Sequence, residues 1–169
     1  MGVKGFGVGR RLGLYARHRL DLWPKDIFFG VRSCCRPWQR NGLESEVLGL
    51  CSIEDDGLVC YSVRSGWDLW LGARGLRAGD EVLVSAVTHP DMIRIIRWHG
   101  LCAVPVDIDP RTLAPRPGML EAALTPRTRV VLVAHLFGGR MDLGPVARFA
   151  REHGLTLVED CAQAFRVPE

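Results

Sequence analysis

Beyond Gly79 the chain alternates between two periodicities. Short runs rich in β-branched residues recur about every 20 to 27 residues: 81–85 (EVLVS), 103–107 (AVPVD), 130–135 (VVLVAH) and 155–160 (LTLVED). Between them the apolar positions fall at helical spacing. Residues 91–98 (DMIRIIRW) place Met92, Ile95 and Ile96 on one face, and 117–124 (PGMLEAAL) begin with a proline suited to a first turn. Residues 144–153 (GPVARFAREH) put Val146, Phe149 and Ala150 on one side, with Gly154 as the C-terminal cap. Strand, helix, strand at this spacing predicts βαβ units with parallel strands. The runs are nearly continuous in apolar residues, which predicts helices on both faces of the sheet. The expected architecture is an α/β layered fold, in which ligands bind beyond the carboxyl ends of the strands. Thr88 and His89, His135, and the pair Glu159 and Asp160 all lie at such ends.

A chain of 169 residues can enclose a hydrophobic core, and one domain is the expectation. Residues 1–56 read differently from the rest, because Gly, Pro and Arg break every pattern there. They form a basic N-terminal arm, with 57–169 as the organised part. Residues 1–40 hold nine Lys and Arg against two Asp, +7 within a net charge of +3. A solvated or subunit-contacting arm is favoured over a nucleic-acid or lipid contact, since Arg is abundant throughout and only two lysines occur. No run approaches the ~18 apolar residues of a membrane span. The six cysteines lack CxxC spacing, and no secretory signal precedes them, so reduced thiols in a cytoplasm are expected.

The glycines of residues 5–10 (GFGVGR) resemble a dinucleotide loop but have no strand before them. In 63–71 (VRSGWDLWL), Ser65 and Gly66 lead into a helix on whose face Leu69 recurs. That start is either an anion site or an ordinary Ser cap. Asp107 and Asp109 read as turn residues. Asp160 ends an apolar run and precedes a compact CAQA, so its carboxylate has three possible uses: a metal, a base, or a partner for a protonated ring nitrogen. Metal ligands at suitable spacing are not evident.

The order of motifs says more than any one of them. RSG entering a helix, GDEVLVSAVTH, VDIDPRTL, LTPRTRVVLVAHLFGGRMDL and HGLTLVEDCAQAF together resemble the DegT/DnrJ/EryC1/StrS aminotransferases over residues 57–165. That resemblance implies an aspartate-aminotransferase-type fold with a largely parallel sheet, here incomplete, binding pyridoxal 5'-phosphate (PLP). It implies a homodimer that moves an amino group from an amino-acid donor to a keto-sugar, often nucleotide-linked, or a similar carbonyl. By the same resemblance Asp160 pairs with the pyridine nitrogen, Gln163 bonds near the phenolic oxygen, Ala162 packs below the ring, His89 stacks on it, and Ser65 and Gly66 hold the phosphate. His135, in HLFGG, is given a structural or dimer-contact role.

Two departures stand out. Trp67 and Asp68 follow Gly66, where the family has a hydroxyl and a small residue. The family's Schiff-base lysine lies beyond the aspartate motif, and the only lysines here are Lys4 and Lys25. No residue of this chain is therefore assigned to catalysis, and the chain is expected to be inactive alone. The alternative expectation is a non-catalytic half-subunit that binds a partner chain.

Overall fold

The computed structural model describes residues 23–35, 40–50 and 57–164. The chain divides into two compact units, residues 1–39 and 40–169. In the first, α1 (Pro24–Cys34) starts with proline at its first turn and with Asp26 accepting the Trp23 amide. Its side chains are all exposed. The second unit opens with α2 (Arg40–Leu50). Both helices lie in the arm, where interior glycines with poor helix propensity hide them from a periodicity reading. Residues 5–10 lie outside the described residues. No described helix is long and apolar enough to cross a membrane.

The organised part runs α3 (Val63–Ala73), β1 (Glu81–Ser85), α4 (Pro90–Trp98), β2 (Cys102–Val106), α5 (Pro117–Ala123), β3 (Thr128–Ala134), α6 (Gly144–Glu152), β4 (Thr156–Asp160). Its four strands form one sheet in the order β2-β1-β3-β4, every pair parallel. Each strand lies within two residues of its predicted run.

Strand alternation sorts the core into two halves. Val82 and Val84 of β1 and Val130 and Leu132 of β3 pack on one face with Trp67, Leu71, Met92 and Ile96, from α3 and α4. Leu83, Val131 and Val133 pack on the other with Leu120, Val146 and Phe149, from α5 and α6. The middles of the two central strands, Val82 to Val84 and Val130 to Ala134, are thus continuously apolar because each face has its own helical layer. Leu69 was expected on the packed face of α3, but it is exposed, and Trp67 and Leu71 are the buried residues. Trp67 and Leu71, four residues apart, share one face, and Leu69, two positions from each, lies about 200° around the helix from both.

From β1 the chain moves to β2 on one side, and from β3 to β4 on the other. The direction reverses between β1 and β3, so the loops leaving their carboxyl ends part and leave a crevice. At the opposite end of the same strands Glu81 clasps the sheet. Its buried carboxylate accepts bonds from Thr125 Oγ1, from Arg127 Nε and Nη2 at 3.2 and 2.8 Å, and from Thr128 Oγ1 at 3.2 Å. The GDEV and TPRT motifs therefore meet in space, tying the start of β1 to that of β3.

The Thr125 hydrogen bond, with those of Arg127 and Thr128, holds the Glu81 carboxyl below the ordinary 4.5 in spite of its burial. A carboxyl depressed in the folded state stabilises above its unfolded value, and that stability is lost as pH falls through the folded value. Urea midpoints are accordingly expected to fall as pH drops below about 4.5, with the Glu81→Gln variant showing a flatter acid limb. An equally steep limb in the variant would remove Glu81 from this role.

Candidate active site

A cavity of about 290 Å³ lies at the carboxyl ends of β1, β3 and β4, beside the start of α3. This is the crevice that the strand order produces. Its polar lining comprises Arg64, Thr88, His89, His135, Asp160 and Gln163.

β4 delivers two adjacent acids to opposite sides. Asp160 is 9% exposed and turns into the cavity, whereas Glu159 is exposed and pairs with His135. Asp160 Oδ1 accepts the Ala162 amide at 3.0 Å, and its backbone carbonyl accepts the His135 amide at 3.0 Å. The carboxylate is thereby fixed by its own turn and by β3. Oδ2 has no partner among the described residues and remains an acceptor for a ligand. Gln163, three residues on, is anchored by its side-chain oxygen, which accepts the Phe137 amide at 3.1 Å.

His89 caps α4, its Nδ1 accepting the Asp91 amide at 3.2 Å. Asp91 in turn takes Arg94 at 2.8 Å and Arg64 at 3.5 Å, linking the starts of α3 and α4 across the cavity rim. The buried Thr88 hydroxyl has no partner among the described residues.

Ser65 and Gly66 do not line the cavity. The cap of α3 is Ser62, whose hydroxyl accepts the Ser65 amide at 3.2 Å and whose carbonyl accepts the Gly66 amide at 3.1 Å. With the helix beginning earlier than RSG suggests, the first-turn amides lacking an intrahelical acceptor are those of Val63 and Arg64. Both of these residues line the cavity. The sequence reading names Ser65 and Gly66 but not Arg64, the first residue of the same RSG motif. It also passed over the Phe137 amide, for which no local signal exists beyond the glycines that follow.

His135 is 2% exposed. Its Nδ1 accepts the Met141 amide at 3.3 Å, so the ring proton sits on Nε2 and is donated to Glu159 Oε2 at 3.0 Å. His135, Glu159 and Cys161 bring their donor atoms within 4.8 Å of one another. The tautomer argues for a hydrogen-bonded pair there, because a metal at Nε2 would displace the proton that the Met141 contact places on it. Burial, and next the Glu159 charge, push the Cys161 thiol up, which disfavours the thiolate a metal needs. Replacing His135 by Leu leaves the Met141 amide unpaired and Glu159 alone. A loss of about 1–3 kcal/mol is expected, read as a lower urea midpoint with unchanged slope, and no loss would contradict the pairing.

The sequence model of the DegT/DnrJ/EryC1/StrS aminotransferase family matches residues 44–167. The chain belongs to this family. Among its curated relatives, the UDP-N-acetyl-3-dehydro-alpha-D-glucosamine 3-aminotransferase of Acidithiobacillus ferrooxidans is 37% identical over 126 residues, 75% of this chain and 34% of the relative. The L-glutamine:2-deoxy-scyllo-inosose aminotransferase of Streptomyces kanamyceticus is 45% identical over 137 residues, 80% of this chain and 30% of the relative. The crystal structure of DesV from S. venezuelae, in complex with a ketimine intermediate, superposes with a TM-score of 0.69 at 32% identity, covering 83% of this chain and 38% of DesV. The chain spans about a third of the length of these DegT/DnrJ/EryC1/StrS family members. Its four-stranded parallel sheet is part of their PLP-dependent aminotransferase fold.

Proposed function

We propose that this chain is the N-terminal part of the cofactor-binding large domain of an aminotransferase that carries an amino group from an amino acid to a ketone on a sugar or similar polyol ring. The observation that carries the reading is the convergence of His89, Asp160 and Gln163, distant in sequence, on one cavity at the switch point of the sheet. The donor set fits PLP. It offers an acceptor-only carboxylate, a side-chain amide, a ring at the rim, and unused amides with an orphaned hydroxyl for an anion.

When bound, PLP supplies an electron sink for the carbanion formed as the amino-acid donor loses its α-proton. Asp160 would accept the ring N–H and keep that nitrogen protonated. Gln163 would donate to the phenolic oxygen, and Ala162 would pack against the ring. His89, held at its Nδ1 by α4, presents its ring for stacking. The Val63 and Arg64 amides, with the Thr88 hydroxyl, would hold the phosphate. Ser65 and Gly66, the positions the family resemblance indicates, reach it only by releasing their bonds to Ser62.

A nucleotide-sugar ketone and a cyclitol ketone are the acceptors named for the two relatives, and their shared chemistry, a ketone on a hydroxylated six-membered ring, is what we assign to the acceptor. We further propose that the whole protein is a homodimer and works in the cytoplasm, a compartment in keeping with the free cysteines. No lysine lines the cavity among the described residues. The amine that completes the site comes either from further along the polypeptide or, in a second reading that the same observation favours, from a partner chain that this half-subunit binds.

The test is to add PLP and L-glutamate or L-glutamine to the 169-residue chain and follow conversion to the amine form by absorbance. PLP should bind without turnover, and adding a lysine-bearing remainder of the family domain should start it. Turnover by the 169 residues alone, or no PLP binding, would contradict the proposal. A complex that binds the remainder and stays silent would leave the non-catalytic half-subunit.

A further inference from the structure

Phe137 is one of two described non-glycine residues with positive φ, at +58°, and its side chain is 77% exposed. A left-handed backbone is disfavoured for a bulky residue and persists where the surroundings impose it. Gly138 follows at φ +81°, next to the Gln163 carbonyl. The strained turn has one evident product: the Phe137 N–H points at Gln163 Oε1, 3.1 Å away.

A backbone N–H only donates, so it selects one of the two ends of the Gln163 amide. The oxygen is fixed on the turn, and the NH2 end is left to the cavity that Gln163 lines. The turn is itself fixed from behind. His135 donates its amide to Asp160 and takes the Met141 amide on Nδ1, so β3, the HLFGG turn and the 160–163 segment form one hydrogen-bonded unit.

We propose that Phe137 is a positioning residue: its left-handed amide locks Gln163 as a hydrogen-bond donor, so that the site selects a ring ligand bearing an acceptor oxygen on the Gln163 side of the group Asp160 holds. The inference rests on the PLP reading and deepens it. Without the lock the Gln163 amide can flip, and its oxygen would then repel a phenolate. Selection between ligands with and without the free oxygen is set by this backbone geometry, not by the Phe137 ring.

The experiment compares PLP with its 3-O-methyl ether, both titrated into the 169-residue chain. The unaltered chain is expected to prefer PLP by about tenfold or more, the range of a hydrogen bond to a charged group. Gln163→Glu, which can occupy the Phe137 N–H with one oxygen and present the other to the ligand, should bring the preference to about one or below. Phe137→Gly keeps the N–H and adopts positive φ freely, so it should retain the preference, whereas Phe137→Pro should lose it. NMR of the PLP-bound chain supplies a readout independent of any variant's folding. A scalar coupling between the Phe137 amide nitrogen and the Gln163 side-chain carbonyl carbon is expected. Absence of that coupling, or an unchanged preference in Gln163→Glu, overturns the inference while PLP binding stands. Failure of the unaltered chain to bind PLP overturns the PLP reading and the inference with it.

Discussion

Asp160→Asn is expected to weaken PLP binding by roughly ten- to a hundredfold while the fold stays intact. The substitution is chosen because asparagine keeps an oxygen for the Ala162 amide, the contact that shapes the turn. What it removes is charge. A neutral amide cannot hold a proton on a pyridine nitrogen, and hydrogen bonds to charged groups contribute about 1.5–3 kcal/mol, with 1.4 kcal/mol to each tenfold in Kd. Asp160 is nearly buried, so water does not make good the loss. The measurement is a PLP titration of both chains by absorbance, with thermal unfolding of each as the control. Equal affinities in two folded chains would show that Asp160 does not face the ring.

Leu132→Ala is expected to cost about 2–5 kcal/mol, the range for a buried leucine whose cavity cannot collapse. Leu132 is 1% exposed on β3, which is hydrogen-bonded on both sides, and packs among Val82, Val84, Trp67 and Met92. Since a domain of this kind has only about 5–15 kcal/mol in total, the variant should be largely unfolded at moderate urea, taking the cavity with it. Leu69→Ala provides the contrast. Leu69 is 55% exposed, and its loss should stay within about 0.5 kcal/mol. Urea unfolding of the two variants measures the difference, and similar midpoints would contradict the two-faced core.

The sheet was legible because its central strands are buried on both faces, and residues such as Val130 to Val133 advertise that in consecutive letters. The helices between them showed a 3.6-residue period, and Gly154 closed α6 with a left-handed φ of +64° as expected. α1 and α2 were not legible, since α1 exposes all its described side chains and so has no buried stripe to read. At the site, Asp160, Gln163 and His89 could be named from motif order, but how they are held could not. The start of α3 was misjudged because the RSG motif draws attention to Ser65, while Ser62, three residues earlier, makes the cap. The His135 pairing with Glu159 links residues 24 positions apart and has no local signature. Phe137 carries a positive φ that its residue type argues against.

The most direct test of the central claim is the 15N NMR shift of the ring nitrogen in 15N-labelled PLP bound to the chain, followed as pH is raised. A protonated pyridinium is expected to persist well above the pH at which free PLP loses that proton, and to lose this protection in Asp160→Asn. A ring nitrogen that is bound but deprotonates as in free solution would contradict the placement of Asp160 against it.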